Sequence, residues 1–442
     1  MNILIVSSNF SKGGLETQLV TYHNKLLKNN NLYYCFQTYT HEYELKNSEI
    51  FENANFSYDI NLDDFITTIN NLINIIKKYN IDVVHIHPSY CLFSAALAAN
   101  IAGVPAIYNY HGFASFNFGN NALNNYLLLY KYIFKNCISA VLSVSQYGIN
   151  AFKSSFNIPC YLLKNGIDEK KFKIRDFKNN KRWALVSRLD IDKRSEIIKL
   201  LSFLPNLNIK AIDIYGNGTE EDYLKNYVAK NNLNVNFYDY QNDVSKIFEK
   251  KEYNGIIGGG RSIIEALFSG YPAILIEYSK IVGVMTLEKY EYFKSLNFVD
   301  PYFEEVTAEQ LNDELNKISK STIAEITDLV RNDFNSDSIT KEYENIIKVL
   351  KPKDNQKTTK LFNQLQNCTN KSEFVKYSSV LYDSLKNTYI DNLDLDDITL
   401  LEQTEVANIT KYLVGKIDEL NIKIQKLEEK INCIKEGDSK ND

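Results

Sequence analysis

The sequence predicts an α/β protein: two Rossmann-like, doubly wound domains facing a cleft, followed by an α-helical C-terminal extension that ends in a coiled coil. Three observations carry this. Short apolar runs alternate with longer amphipathic stretches through residues 1–165; the alternation restarts and continues through 166–351; and a strict heptad closes the chain. Alternating β and α segments require a parallel sheet covered by helices on both faces. At 442 residues and 44% hydrophobic composition, the chain is long enough for two or three domains with substantial cores.

In the first unit, residues 1–165, strands are expected at 2–8, 33–39, 82–87, 106–111 and 140–145. Between them, 62–79 carries Ile66, Ile69, Leu72, Ile73 and Ile76 at helical spacing. The stretch 161–176, "YLLKNGIDEKKFKIRD", reads as the loop that ends the first half. In the second unit, residues 166–351, strands are expected at 183–189, 210–216, 234–239, 254–259 and 272–277. Two such sheets place their ligands beyond the carboxyl ends of the strands. Residues 352–405 are polar and mostly helical in pattern. Within 406–436, Leu413, Ile417, Leu420, Ile424, Leu427, Ile431 and Ile434 recur at alternating spacings of four and three. Ile at a and Leu at d favour a parallel two-stranded coil, with Lys423 and Glu428 at g and e; this predicts a homodimer through 413–434. The alternative is an amphipathic helix docked on its own chain.

A net charge of −5 gives no overall attraction to nucleic acid. The six cysteines lack CxxC spacing and read as reduced thiols of a cytoplasmic protein. "MNILIVSSNF" is a first strand, since it lacks the basic start of a signal peptide. No run reaches the ~18 apolar residues that span a bilayer. The stretch 124–140, "NNYLLLYKYIFKNCISA", with Lys131 and Lys135, is either a helix that touches the inner face of the membrane peripherally or a core helix before the next strand.

The densest chemical signal is "GGGRSIIEALFSG", residues 258–270, between a strand and a helix. Glycines let a ligand approach the backbone, and the helix start offers free N–H groups to an anion. Gly260, Arg261, Ser262 and Ile263 form this candidate phosphate site, with Glu265 one turn further in as an acceptor for ribose hydroxyls. The competing reading is a tight turn with Glu265 on a solvated face. Arg188 ends a strand in "VSRLDIDKR" and Lys193 follows as a helix begins, two cations suited to a diphosphate. Gly216 in "IYGNG" and Gly13 and Gly14 in "SSNFSKGGLETQLV" mark further strand–glycine–helix turns. None is the GxGxxG of a dinucleotide fold. His111 ends a strand in "NYHGF", either to bond a sugar hydroxyl or as a buried structural residue. His85 and His87 share a strand face without a third ligand, so no metal is expected. "LDLDD", 393–397, reads as a helix N-cap and acidic first turn.

Taken together, "GGLETQL", "DVVHIH", "YHG", "SVSQ", "KNGID…F", "SRLDIDK", "IYGNG" and "GRSIIEALFSGYP", in this order over about residues 1–350, resemble the family 4 retaining glycosyltransferases of the GT-B fold. The resemblance implies the following roles. Gly14 lies by the donor pyrophosphate and transferred sugar, and His111 contacts that sugar. Arg188 and Lys193 bind the diphosphate. Ser262 and Ile263 offer backbone N–H groups, and Glu265 holds the ribose. It implies no divalent metal and no cofactor beyond a nucleotide-sugar co-substrate, UDP being the default base. The acceptor is a cell-surface glycan, a lipid-linked oligosaccharide or a protein. One departure stands out: the family's second glutamate, eight residues before the ribose one, is Ile257 here, so the sugar-facing contacts must differ. Two other readings compete: a GT-B nucleotide-sugar epimerase, and a non-catalytic GT-B-like scaffold assembled through its coiled coil.

Overall fold

A computed structural model describes residues 1–385 except 11–13, 41–43, 53, 58–59, 89, 112–122, 176–180, 251–252, 301, 369–376, 378 and 382–383. The heptad at 413–434, the acidic run at 393–397 and Gly13 lie outside the described residues.

The first half holds strands β1 (Asn2–Phe10), β2 (Asn31–Tyr39), β3 (Glu49–Phe51), β4 (Val83–Ile86), β5 (Ala106–Tyr110), β6 (Ile138–Ser143) and β7 (Cys160–Leu162). They form one parallel sheet in the order β3-β2-β1-β4-β5-β6-β7. β1 pairs on both sides, Val6 with Cys35 and Ile5 with His85. Helices α1 (Gly14–Leu26), α2 (Leu62–Lys78), α3 (Leu92–Ile101), α4 (Leu123–Asn136) and α5 (Gln146–Phe156) connect them. Alternation along β1 sends Leu4 and Val6 into one core and Ile3 and Ile5 into the other, so the sheet is buried on both faces. The start of α2 is set by Asn61, whose side chain accepts from the Asp64 amide, with Asp63 and Asp64 in the first turn and Lys77 and Lys78 in the last.

The second half holds β8 (Arg182–Val186), β9 (Ala211–Tyr215), β10 (Val235–Tyr238), β11 (Gly255–Gly258), β12 (Ala273–Glu277) and β13 (Lys280–Val284), in the order β10-β9-β8-β11-β12-β13. All are parallel except β13, which runs antiparallel to β12. Its helices are α6 (Ile191–Phe203), α7 (Glu221–Lys230), α8 (Ser245–Glu249), α9 (Arg261–Phe268), α10 (Leu287–Phe293), α11 (Ala308–Asn316) and α12 (Lys320–Asp333).

Two further helices return to the first half. In α13 (Ser336–Val349), Ile339, Tyr343, Ile346 and Ile347 pack into the core with Ile3 and Ile5. The expected boundary at 351 therefore falls after a helix that belongs, by packing, to the first sheet. The chain crosses between halves at Ile167 and again at 334–336. The two crossings are bonded: Ile167 N–H donates to Phe334 O (2.7 Å) and Ser336 N–H to Ile167 O (3.1 Å). In α14 (Gln356–Gln366), Leu361, Phe362 and Leu365 are buried against α2 and α3. Tyr377 stacks on Phe65 at 4.0 Å. The described part of the extension thus completes the first core. The 124–140 stretch resolves into α4 followed by β6. Leu128, Leu129, Tyr130, Tyr132, Ile133 and Phe134 are buried, so these residues serve the core.

Candidate functional site

The carboxyl ends of β8, β9, β11 and β12 form one edge, and most of the expected second-half groups lie on it. Gly260 caps α9 at φ +53 and ψ −124, a conformation open to glycine. Behind it Ile263, Ile264, Ala266, Leu267 and Phe268 are all buried, which fixes the helix start at the sheet edge. The Ser262 hydroxyl donates to Gly259 O at 3.0 Å. The Ile263 amide, expected to face phosphate, donates to Gly260 O at 3.2 Å.

Lys193 lies at the start of α6. Its Nζ is 2.6 Å from Glu277 Oε1 at the end of β12 and 3.2 Å from Glu196 Oε1. Burial opposes the ammonium charge, but the two carboxylates outweigh it and raise the Lys193 pKa. Glu196 is fully buried; its carboxyl is raised by that burial and held back by Lys193. Glu277 touches the glycine turn itself: a Cβ on Gly259 would overlap its Oε2. Lys193 and the start of α9 are therefore joined through Glu277. Arg188 stands on the same edge, two residues past β8, but its guanidinium is turned onto Asp190 (2.8 Å) and Asp192 (3.0 Å). Gly216 is required for packing, since a Cβ there would overlap Ser187 O.

Arg261 and Glu265 form a second cluster at the seam between the halves. Arg261 Nε donates to Glu265 Oε1 at 2.8 Å and Nη2 donates to Gly166 O at 3.1 Å, at the chain crossing. Burial raises the Glu265 pKa and Arg261 opposes it. The carboxylate expected to hold ribose is thus only 3% exposed and ion-paired. Arg261 Nη1 is buried without a partner, and so is Gln18 Nε2 on α1. The Tyr22 hydroxyl, also on α1, lies beside Gln18 and within the field of Arg261. Each half therefore contributes one buried N–H donor without an acceptor, on side chains that both influence Tyr22.

In the first half, α1 opens at Gly14. His111 follows β5, its Nε2 lying 3.1 Å from His87 Nδ1 and 3.0 Å from Asn109 Nδ2. His85 and His87 share a strand face, their rings 4.3 Å apart, and His85 Nδ1 lies 3.0 Å from the Tyr343 hydroxyl of α13. Burial lowers His111 to about 4 and His85 to about 3. His111 is therefore a neutral hydrogen-bonding group at pH 7, not an imidazolium acid. Among the described residues, no group of three or more His, Cys, Asp or Glu side chains could hold a metal ion.

Ile257 lies inside β11, paired with Ile274 and Leu185, and is fully buried. A glutamate at this position would point into the core formed with α6 and α7. Glu277, Glu196, Gln18 and Asn109 were not singled out from sequence. Each meets its partner through the fold, and the Lys193–Glu277 contact spans 84 positions.

Residues 12–171 match the model of Glycosyltransferase Family 4. The chain as a whole has the GT-B fold, shared with solved structures of low identity. A glycosyltransferase from Rickettsia africae superposes with a TM-score of 0.60 at 17% identity, covering 78% of this chain and 97% of that one. A sucrose-phosphate synthase from Thermosynechococcus elongatus gives 0.55 at 14%, covering 78% and 98%. The UDP-GlcNAc 2-epimerase of Neisseria meningitidis, bound to UDP-GlcNAc, gives 0.51 at 14%, covering 79% and 100%. No curated protein matches the sequence significantly. The matched segment includes α1 and His111; the glycine turn and Lys193 come from the second half of the GT-B fold.

Proposed function

We propose that this chain is a retaining glycosyltransferase that moves a sugar from a nucleotide-sugar donor, with UDP as the default base, to a cell-surface glycan, a lipid-linked oligosaccharide or a protein. One observation carries the reading: Arg261 Nη1 at the start of α9 and Gln18 Nε2 on α1 of the other half are buried donors without acceptors, and both side chains act on the Tyr22 hydroxyl. Buried donors left unpaired cost about 1–3 kcal/mol each. A diphosphate oxygen is the acceptor such donors fit, and helix starts favour anions. Lys193 and the α9 amides stabilise the departing diphosphate. Arg188 joins them by exchanging Asp190 and Asp192 for phosphate. In front-face transfer the C1–O bond to the diphosphate breaks as the acceptor oxygen bonds C1 on the same face. The acceptor proton passes to the departing phosphate oxygen. Neutral His111 bonds the sugar, and the chemistry requires no metal.

A thermal-shift screen with UDP-, GDP- and ADP-sugars tests this reading. One base should raise the melting temperature by mass action; no shift with any of them moves the assignment to a scaffold. The likeness to an epimerase supports a second reading. Product analysis after incubation with the stabilising nucleotide sugar alone separates the two, because an epimerase converts the sugar without an acceptor.

A further inference from the structure

Glu277 is the group on this edge to which the proposed transfer gives no role. It ends β12, and continuing the β11–β12 register beyond Gly258–Leu275 puts it level with Gly260. Its Oε1 accepts from Lys193 at 2.6 Å, and its Oε2 fills the space that any side chain at 259 would need. Lys193 does not need it for charge balance, since buried Glu196 lies 3.2 Å from the same ammonium. Glu277 is thus a second carboxylate on one cation, with 16% of its side chain still exposed.

The backbone holds it there under strain. Tyr278 and Ser279, next in the chain, adopt φ of 51 and 60, the left-handed region that bulky residues avoid. The turn is pinned to α6: the Ser279 amide donates to Glu196 Oε2 at 3.1 Å and Lys199 Nζ donates to Ser279 O at 3.0 Å. A fixed carboxylate beside a helix start repels phosphate, and the acceptor capacity it has beyond the Lys193 ion pair suits hydroxyl donors. In a nucleotide sugar, the hydroxyl-rich group next to the diphosphate is the glycosyl unit.

We propose that Glu277 accepts hydrogen bonds from the hydroxyls of the transferred sugar, making it the residue that distinguishes a nucleotide sugar from the bare nucleoside diphosphate. This rests on the reading that the cleft takes a nucleotide sugar. The test is calorimetric titration of the full chain with UDP, GDP and ADP and with UDP-glucose, UDP-GlcNAc, GDP-mannose and ADP-glucose, using wild type, Glu277→Gln and Glu277→Asp. Glu277→Gln should weaken the bound nucleotide sugar by about tenfold or more, the scale of a hydrogen bond to a charged group, and leave the matching diphosphate unchanged or tighter. Glu277→Asp keeps the charge but shortens the reach, and should show the same split. Equal losses for sugar and diphosphate, or no loss in either variant, overturn the inference and leave the cleft assignment standing. Wild type that binds none of the seven overturns both.

Discussion

Lys193 is held between one buried and one partly exposed carboxylate. Lys193→Ala leaves Glu196 buried without its cation, which costs on the order of 3–5 kcal/mol. Lys193→Met combined with Glu196→Gln should recover most of that loss in urea unfolding; equal instability of the two variants would refute the pairing. The buried histidines give a pH signature. Burial lowers His111 to about 4 and His85 to about 3, below the 6.5 of an unfolded histidine. Their contribution is complete above pH 6.5 and is lost as pH falls toward the folded values, because the unfolded chain binds the protons first. For His111 alone this amounts to roughly 3 kcal/mol. The urea midpoint should therefore fall between pH 7 and pH 5, and fall less in His85→Phe; matching slopes would contradict the account. The glycine turn, Lys193 and His111 were legible from residue type next to a strand end. Glu277 was not, because a terminal Glu after "PAILI" gives no sign of the lysine it meets across the fold.

Among the elements, the long parallel strands and α2 were legible from periodicity. β3 and β7 are three-residue edges, too short to show one. β13 was hidden for another reason: its hairpin turns on Tyr278 and Ser279, without the glycine or asparagine that marks such a turn. The pattern at α13 and α14 shows apolar faces but not which sheet receives them. That destination has a measurable consequence. A chain ending at 351 loses Leu361, Phe362, Leu365, Tyr377, Leu381 and Leu385 from the first core. At ~1.5–3 kcal/mol for each buried side chain, its melting temperature should drop by roughly 10 °C or more. A chain ending at 385 should melt within about 2 °C of the full one. Equal melting of both truncations would show that the extension does not serve the core.

At the scale of the molecule, two sheets are tied by paired crossings at Ile167 and 334–336, with α13 reaching back from the second half. The seam is further linked by Lys164 with Asp333 (3.3 Å) and by Asn165 with Asn297 (2.9 Å). The two-domain plan was readable from the restarted β/α alternation. The return of the chain was not, since it depends on long-range packing. The heptad at 413–434 makes an independent prediction: deleting 406–442 should convert a dimer into a monomer by light scattering, and an unchanged mass would remove the coiled coil from the account. The central claim is that the edge carrying Arg188, Lys193 and the start of α9 grips a nucleoside diphosphate. Arg188 is 55% exposed, so Arg188→Ala should leave the fold intact. Calorimetric titration of wild type and Arg188→Ala with UDP, GDP and ADP tests the claim most directly. One diphosphate should bind wild type and bind the variant about tenfold or more weakly; equal affinity, or no binding to wild type, would contradict it.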